Sequence, residues 1–273
     1  MLTPFLIIPV ITVILILASR NNKQVKLVSA GGMGLQLLYS IFVLFEYIKE
    51  RSTGNNEEML FMESYKWFDS FNIFFSLGID GISVSLVVLT AIVTFTGVLA
   101  TWGLEFRVKE FFISLIVLST GVYGFFISLD LFTMFLFYEL AVIPMYLLIG
   151  IWGSGKKEYS AMKLTLMLMG ASAVLLVGIL GLYVYSGSGD NLTYNILELA
   201  KLNLPLDIQK FLFPLIFVGF GVLGALFPLH TWSPDGHSSA PTAVSMLHAG
   251  VLMKMGGYGC LRVAMFLLPE AAN

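Results

Sequence analysis

Charge and cysteine, which most proteins use freely, are scarce in this sequence. Only 12% of its 273 residues are Asp, Glu, Lys or Arg, about half the share of an ordinary soluble domain. With 58% hydrophobic residues and a mean hydropathy of +0.88, the chain cannot cover a globule with polar surface, so lipid is its solvent. The net charge of −2 comes without any basic cluster, which excludes a nucleic-acid footprint. A single cysteine, Cys260, sits in an apolar run. It can form no internal disulfide and no iron–sulfur cluster, which takes about four thiolates. It reads as a small buried helix residue. There is no Walker motif, no G-x-G-x-x-G after a strand, no H-E-x-x-H and no cysteine pair. Nucleotide binding and zinc hydrolysis in their common forms are thereby excluded, and the chain carries no visible redox centre of its own. The run Gly31-Gly32-Met33-Gly34 lies in an apolar helix and reads as close helix packing.

What is present is a series of long apolar runs. A bilayer core takes roughly 20 residues per helix, and about eight runs qualify. They lie near 3–19, 28–46, 82–102, 111–128, 130–151, 163–185, 211–230 and 242–267. The first has no basic segment ahead of it and no small-x-small cleavage site behind it, so it reads as a retained helix. Two links are long. Residues 47–81 hold Glu50, Glu57, Glu58, Glu63, Asp69 and Asp80, and residues 186–210 hold Gly187, Gly189, Asp190, Asn191 and Pro205. Both read as surface loops with room for a short helix. The odd links carry Arg20, Lys23, Lys26, Arg107, Lys109, Lys156, Lys157 and Lys163, while acids outweigh Lys49, Arg51, Lys66, Lys201 and Lys210 in links two and six. Positive charge marks the inner side, so the odd links are cytoplasmic and both termini face out. Trp102, Trp152 and Trp232 end helices on the inner side, where an aromatic belt would put them.

Helix interiors should be empty of charge, because a charged side chain at mid-bilayer costs about 2.5–3.5 kcal/mol on insertion scales. Glu139 and Lys254 break that rule, near the middles of the fifth and eighth runs. Lys163 and Asp130 lie at span ends, within snorkelling reach. Two readings of Glu139 and Lys254 stand: a buried ion pair or wet crevice without traffic, or a titratable relay whose proton affinities burial shifts toward neutrality. Pro144, five residues after Glu139, removes a bond to the Leu140 carbonyl. The seventh run holds Gly219, Gly221, Gly224 and Pro228 and reads as an interrupted helix, a recurring feature of ion pathways. His230 and His237 flank Trp232-Ser233-Pro234-Asp235-Gly236. They show no metal-ligand spacing and suit capping or proton uptake. His248 lies six residues before Lys254. On an α-helix the two point roughly 120° apart, so both can touch an interior channel without stacking.

Four segments carry a resemblance. Phe137-Tyr138-Glu139-Leu140-Ala141-Val142-Ile143-Pro144-Met145-Tyr146 resembles the fifth-helix signature of the antiporter-like proton-translocating subunits of respiratory complex I, chain M in particular. Leu77-Gly78-Ile79-Asp80-Gly81-Ile82-Ser83 is similar to the opening of the third helix there. Phe227-Pro228-Leu229-His230-Thr231-Trp232-Ser233-Pro234-Asp235-Gly236-His237 resembles the link between helices seven and eight, and His248-Ala249-Gly250-Val251-Leu252-Met253-Lys254 resembles helix eight. The resemblance implies an all-α integral membrane fold of about eight helices: helices 1–3 with an acidic outer loop (1–110), then one five-helix antiporter-like repeat (111–273) with helix seven interrupted. The second repeat of the family lies beyond this sequence, which reads as an N-terminal fragment. The resemblance assigns the proton relay to Glu139, Lys254 and His248. It implies no cofactor in this chain, with NADH, FMN, iron–sulfur clusters and quinone held by other subunits. The implied partners are the other membrane-arm subunits and the bilayer, in a bacterial inner membrane. One departure stands out: the family places a lysine and a nearby proline where this chain has Leu223 and Ala225. A redox-free cation/proton antiporter and a non-pumping scaffold therefore stand as alternatives to a proton-translocating subunit.

Overall fold

The computed structural model describes residues 1–68, 72–187, 192–202 and 204–272. Asp69, Gly189, Asp190 and Asn191, named above, lie outside the described residues. The chain is built around helices α1 (Pro4–Ala18), α2 (Asn22–Ser52), α3 (Gly81–Ala100), α4 (Val108–Ile127), α5 (Leu131–Trp152), α6 (Lys157–Tyr185), α7 (Ile196–Leu199) and α8 (Leu206–Leu223). Among the described residues six helices, α2 to α6 and α8, are long and apolar enough to cross a membrane. The protein is thus multi-pass. The first and last expected spans take other forms. α1 has 15 residues, and the 242–267 run is broken into segments. It comprises α10 (Thr242–Leu247), a π turn (His248–Leu252), α11 (Met253–Gly259) and a second π turn (Cys260–Met265). Between α8 and α10 lies the short α9 (Trp232–Ser239), and α12 (Pro269–Ala272) follows the second π turn.

α4 is the central post. Its Phe111, Phe112, Leu115, Leu118, Val122 and Phe125 are all fully buried. Two glycines let α5 lie against it: a Cβ on Gly121 would come within 2.7 Å of Ala141 N, and one on Gly124 within 2.3 Å of the Phe137 ring. This contact orients α5. Phe137 and Ala141 share its α4-facing side, so Glu139, two residues from each, points away from α4.

The long second link differs from the expected loop. It folds as an antiparallel hairpin of β1 (Leu60–Phe68) and β2 (Ile73–Ile79), with Tyr65 opposite Phe75 and Phe68 opposite Ile73. The acids Glu57, Glu58 and Glu63 mask a segment rich in aromatic and β-branched residues, which favour a pleated surface. Link six carries the short α7, as its length allowed. The two links meet: Leu129 N donates to Ser76 O at 2.8 Å, and Ile196 N to Leu129 O at 2.9 Å. These bonds satisfy backbone that would otherwise be stranded at the bundle end.

At the opposite end basic side chains cap helix carbonyls. Lys26 Nζ donates to Trp102 O (2.6 Å), Lys109 Nζ to Leu17 O (2.7 Å) and Lys157 Nζ to Ile151 O (2.9 Å). Links one, three and five thus gather at one end, and cations there complement the negative ends of α1, α3 and α5.

Candidate functional site

The three expected relay residues do not meet one another directly. Glu139 is half-buried, beside the exposed stripe Leu136, Leu140, Ile143 and Leu147 of α5. Among the described residues it has no hydrogen bond or ion pair. α5 runs unbroken through Pro144, which is buried.

Lys254 is exposed. Its Nζ folds back on its own helix and donates to Gly250 O at 2.8 Å and Ala249 O at 3.2 Å. Both carbonyls belong to the π turn His248–Leu252. A π turn winds each residue through less than the 100° of an α-helix, so the 120° offset expected between His248 and Lys254 grows. The two side chains point in different directions: His248 is fully buried while Lys254 is exposed.

His248 lies among rings. It is parallel to Trp232 (5.0 Å, 16°) and to His237 (4.0 Å, 11°). Among the described residues neither of its ring nitrogens has a hydrogen-bond partner. Gly236 makes room for it, since a Cβ there would come within 3.2 Å of the His248 ring. His237 lies in α9, outside the long helices, and its Nδ1 meets Ser245 Oγ at 2.9 Å. Burial holds the His237 imidazole below its usual range. Two residues earlier Asp235 pairs with Lys163 of α6 at 2.7 Å. Lys163 therefore has a specific partner on α9 and does not merely snorkel.

Two further expectations need correction. Trp232 is not part of an interfacial belt. It is fully buried, and its indole N–H donates to Val222 O at 3.0 Å. That carbonyl, in the last turn of α8, also accepts from Ala225 N at 3.0 Å, so the indole is its second donor. Trp102 and Trp152 are more accessible, as a belt requires. Asp130 does not snorkel either. It is 1% exposed and caps α5 by accepting from Thr133 N at 3.0 Å. Burial raises its carboxyl to about 6. Sequence reasoning also missed the ion pair of Arg262, in the second π turn, with Asp80 at the start of α3. Its signal was a lone arginine near the end of an apolar run. Among the described residues no group of three or more His, Cys, Asp or Glu could hold a metal ion.

The expected interruption of helix seven is sharp. α8 stops at Leu223, and the chain turns through Gly224–Thr231 before α9. Residues 128–273, from the cap of α5 through this break to the end, match the family model described as NADH:quinone oxidoreductase/Mrp antiporter, TM. The chain belongs to this family. Relatives of the NADH:quinone oxidoreductase/Mrp antiporter family align with nearly all of it. NAD(P)H-quinone oxidoreductase chain 4-2 of Synechocystis sp. is 36% identical over 99% of the chain and 47% of its own length. NADH-quinone oxidoreductase subunit M of Rickettsia prowazekii is 35% identical over 97% of the chain and 54% of its own length. The chain thus spans about half the length of the curated relatives it matches. Among solved structures, respiratory complex I from Thermus thermophilus with bound NADH has the same fold, with a TM-score of 0.85 at 22% identity over 99% of this chain and 54% of that one. The Mrp complex from Dietzia sp. DQ12-45-1b gives 0.79 at 20% identity over 98% and 49%.

Leu223, where the resemblance led one to look for a lysine, is fully buried at the end of α8. Ala225 has φ of 52°. A proline, the usual residue at this position in the resemblance, is locked near −65° and could not take that conformation. The break here therefore has its own backbone geometry.

Proposed function

We propose that the chain is a membrane-arm subunit of a bacterial NADH:quinone oxidoreductase and couples electron transfer in other subunits to proton translocation. The observation that carries this reading is the 33–37% identity, over nearly the whole chain, to relatives named as quinone oxidoreductase chain 4 or subunit M. Glu139, Lys254 and His248 are the proposed proton carriers. His237, partly buried in the link and stacked on His248, takes up protons from the inner side. The leading helices 1–110 act as a support for the five-helix unit 111–273. NADH, FMN, iron–sulfur clusters and quinone belong to partner subunits, and both ends of this segment face outward.

The placement of Glu139 supports the partner assignment. A carboxylate beside an exposed apolar stripe is costly against lipid, so that face of α5 suits contact with another membrane-arm subunit. Coupling is electrostatic: a charge arriving near a carboxylate of low-dielectric surroundings shifts its proton affinity.

A second reading, a non-pumping scaffold, draws on Leu223. The test is proton uptake by the assembled complex in liposomes, comparing Glu139→Gln with wild type at matched assembly and redox rate. Loss of pumping supports the relay. Unchanged pumping and turnover would sink it and leave the scaffold.

A further inference from the structure

The hairpin end of the bundle holds a cavity that Glu139, Lys254 and His248 do not line. It measures about 250 Å³, and its walls are Asp80 and Ile82 at the start of α3 with Tyr258, Leu261, Arg262 and Phe266 of the broken last span. That volume is below the roughly 300–1,000 Å³ of pockets for drug-sized ligands, so the cavity suits a small headgroup. Its depth is set by α3. Asp80 caps that helix by accepting from Ser83 N at 2.8 Å, and the 20 residues that follow are long and apolar enough to cross a bilayer core. The cavity therefore opens at the level of the lipid headgroups. Ile82, Leu261 and Phe266 are exposed around it, as side chains that meet acyl chains would be.

Two arginines at this end of the bundle differ in what they have left to give. Arg51 is spent: its Nε donates to Tyr47 Oη at 3.0 Å, and its Nη1 to Asn55 O at 3.0 Å and Glu57 O at 2.7 Å. Arg262 is not. Its Nη2 donates to Asp80 Oδ2, and its guanidinium stands over the rings of Phe266 (5.7 Å) and Tyr258 (5.8 Å). A guanidinium has five N–H groups. Asp80 takes one, and the Tyr258 hydroxyl can take another. The others have no acceptor among the described residues, and the side chain borders the cavity. Asp80 is in the complementary position. Its oxygens accept from Ser83 N and from Arg262, and each carboxylate oxygen keeps a further lone pair.

The ion pair thus offers spare donors and spare acceptors to one small cavity at headgroup depth. We propose that this cavity binds the headgroup of an aminophospholipid. The phosphate accepts from the free N–H groups of Arg262, the ammonium donates to Asp80, and the acyl stem runs along Ile82, Leu261 and Phe266. The planar guanidinium fork matches phosphate oxygens two at a time. A headgroup with phosphate alone suits the cavity less well, because Asp80 already balances Arg262 and would face a second negative charge. The site is independent of the proton-path reading and stands or falls separately.

The test is a pair of cryo-EM maps of the full-length protein in its membrane assembly. One uses nanodiscs of phosphatidylethanolamine mixed with phosphatidylglycerol, the other nanodiscs of phosphatidylglycerol alone. The expected result is headgroup density in the cavity of the mixed nanodiscs, with phosphate oxygens about 2.7–2.9 Å from Arg262, and its loss in phosphatidylglycerol alone. Equal density in both overturns the aminophospholipid assignment. Ile82→Trp fills the cavity and leaves the Asp80–Arg262 pair in place, so the density should vanish while the pair stays. Should that variant fail to assemble, Leu261→Trp fills the cavity from the other wall. Density that survives the filling variant overturns the site. So does an empty cavity, or a protein side chain in it from the same chain or a neighbouring subunit.

Discussion

Glu139 and Lys254 are the two charges that break the apolar pattern of the spans, and the chain treats them in opposite ways. α5 passes Glu139 as one continuous helix and offers the carboxylate no donor. Lys254 follows a π turn and is held by two carbonyls of that same turn. The difference lies in what a helix can spare. Its interior N–H groups are all engaged, whereas each carbonyl oxygen keeps a second lone pair. An ammonium can therefore be satisfied by its own helix. A carboxylate at mid-helix must find its donors elsewhere.

The sharpest way to test that contrast is to remove each charge while keeping its shape. Glu139→Gln should leave helix content and assembly unchanged and lower coupled proton translocation about 100-fold, the low end for loss of a proton-transfer group. Liposome pumping assays read it. An equal loss of assembly would mean that Glu139 holds a partner and carries no proton.

Lys254 separates into two roles. Lys254→Arg keeps donors for Gly250 O and Ala249 O but cannot give up its proton, so turnover should fall with thermal stability unchanged. Lys254→Met loses both, with a stability cost of about 1 kcal/mol from the lost charged hydrogen bonds at an exposed site. If the two variants behave alike in a thermal-shift assay, capping of the π turn contributes nothing.

Trp232 shows the same logic for a neutral donor. Trp232→Phe keeps a ring against His248 and leaves Val222 O its bond from Ala225 N, so it removes one net hydrogen bond, about 1 kcal/mol. Unfolding in detergent measures it, and an unchanged midpoint would mean that the indole bond adds nothing to the one from Ala225 N.

A last test concerns Asp130, the buried carboxylate that does find donors within the chain. Its folded value of about 6 lies above the ordinary one. The stability it contributes is thus fully present below about pH 4 and is lost as pH rises through about 6. Asp130→Asn keeps an oxygen for Thr133 N and removes the charge. It should raise the melting temperature at pH 7.5 by a few degrees more than at pH 4. A pH-independent effect would contradict the raised value.

Much of this was legible in order along the chain. The apolar runs of α3 to α6 were found to within a few residues, because length and hydropathy in lipid leave few alternatives. Glu139 and Lys254 announced themselves as charges in apolar runs. The hairpin was missed because Glu57, Glu58 and Glu63, just before and within β1, look like solvated loop. Trp232 was misread because a tryptophan at a span end looks interfacial until its partner carbonyl, ten residues back across the break, is known. The Lys163–Asp235 pair spans 72 residues and the Arg262–Asp80 pair 182, separations that no local pattern reveals.

The sequence by itself determined that this is a multi-pass membrane protein with two charges inside its apolar runs, and its motifs pointed to the family. The first follows from the cost of placing charge and bare backbone in lipid, which constrains composition residue by residue, and the second rests on resemblance. Only the tertiary structure decided which way those residues face. The π turn directs His248 and Lys254 apart, and the glycines of α4 turn Glu139 outward. Helix winding and close packing set these directions, and they depend on neighbours far away in the chain.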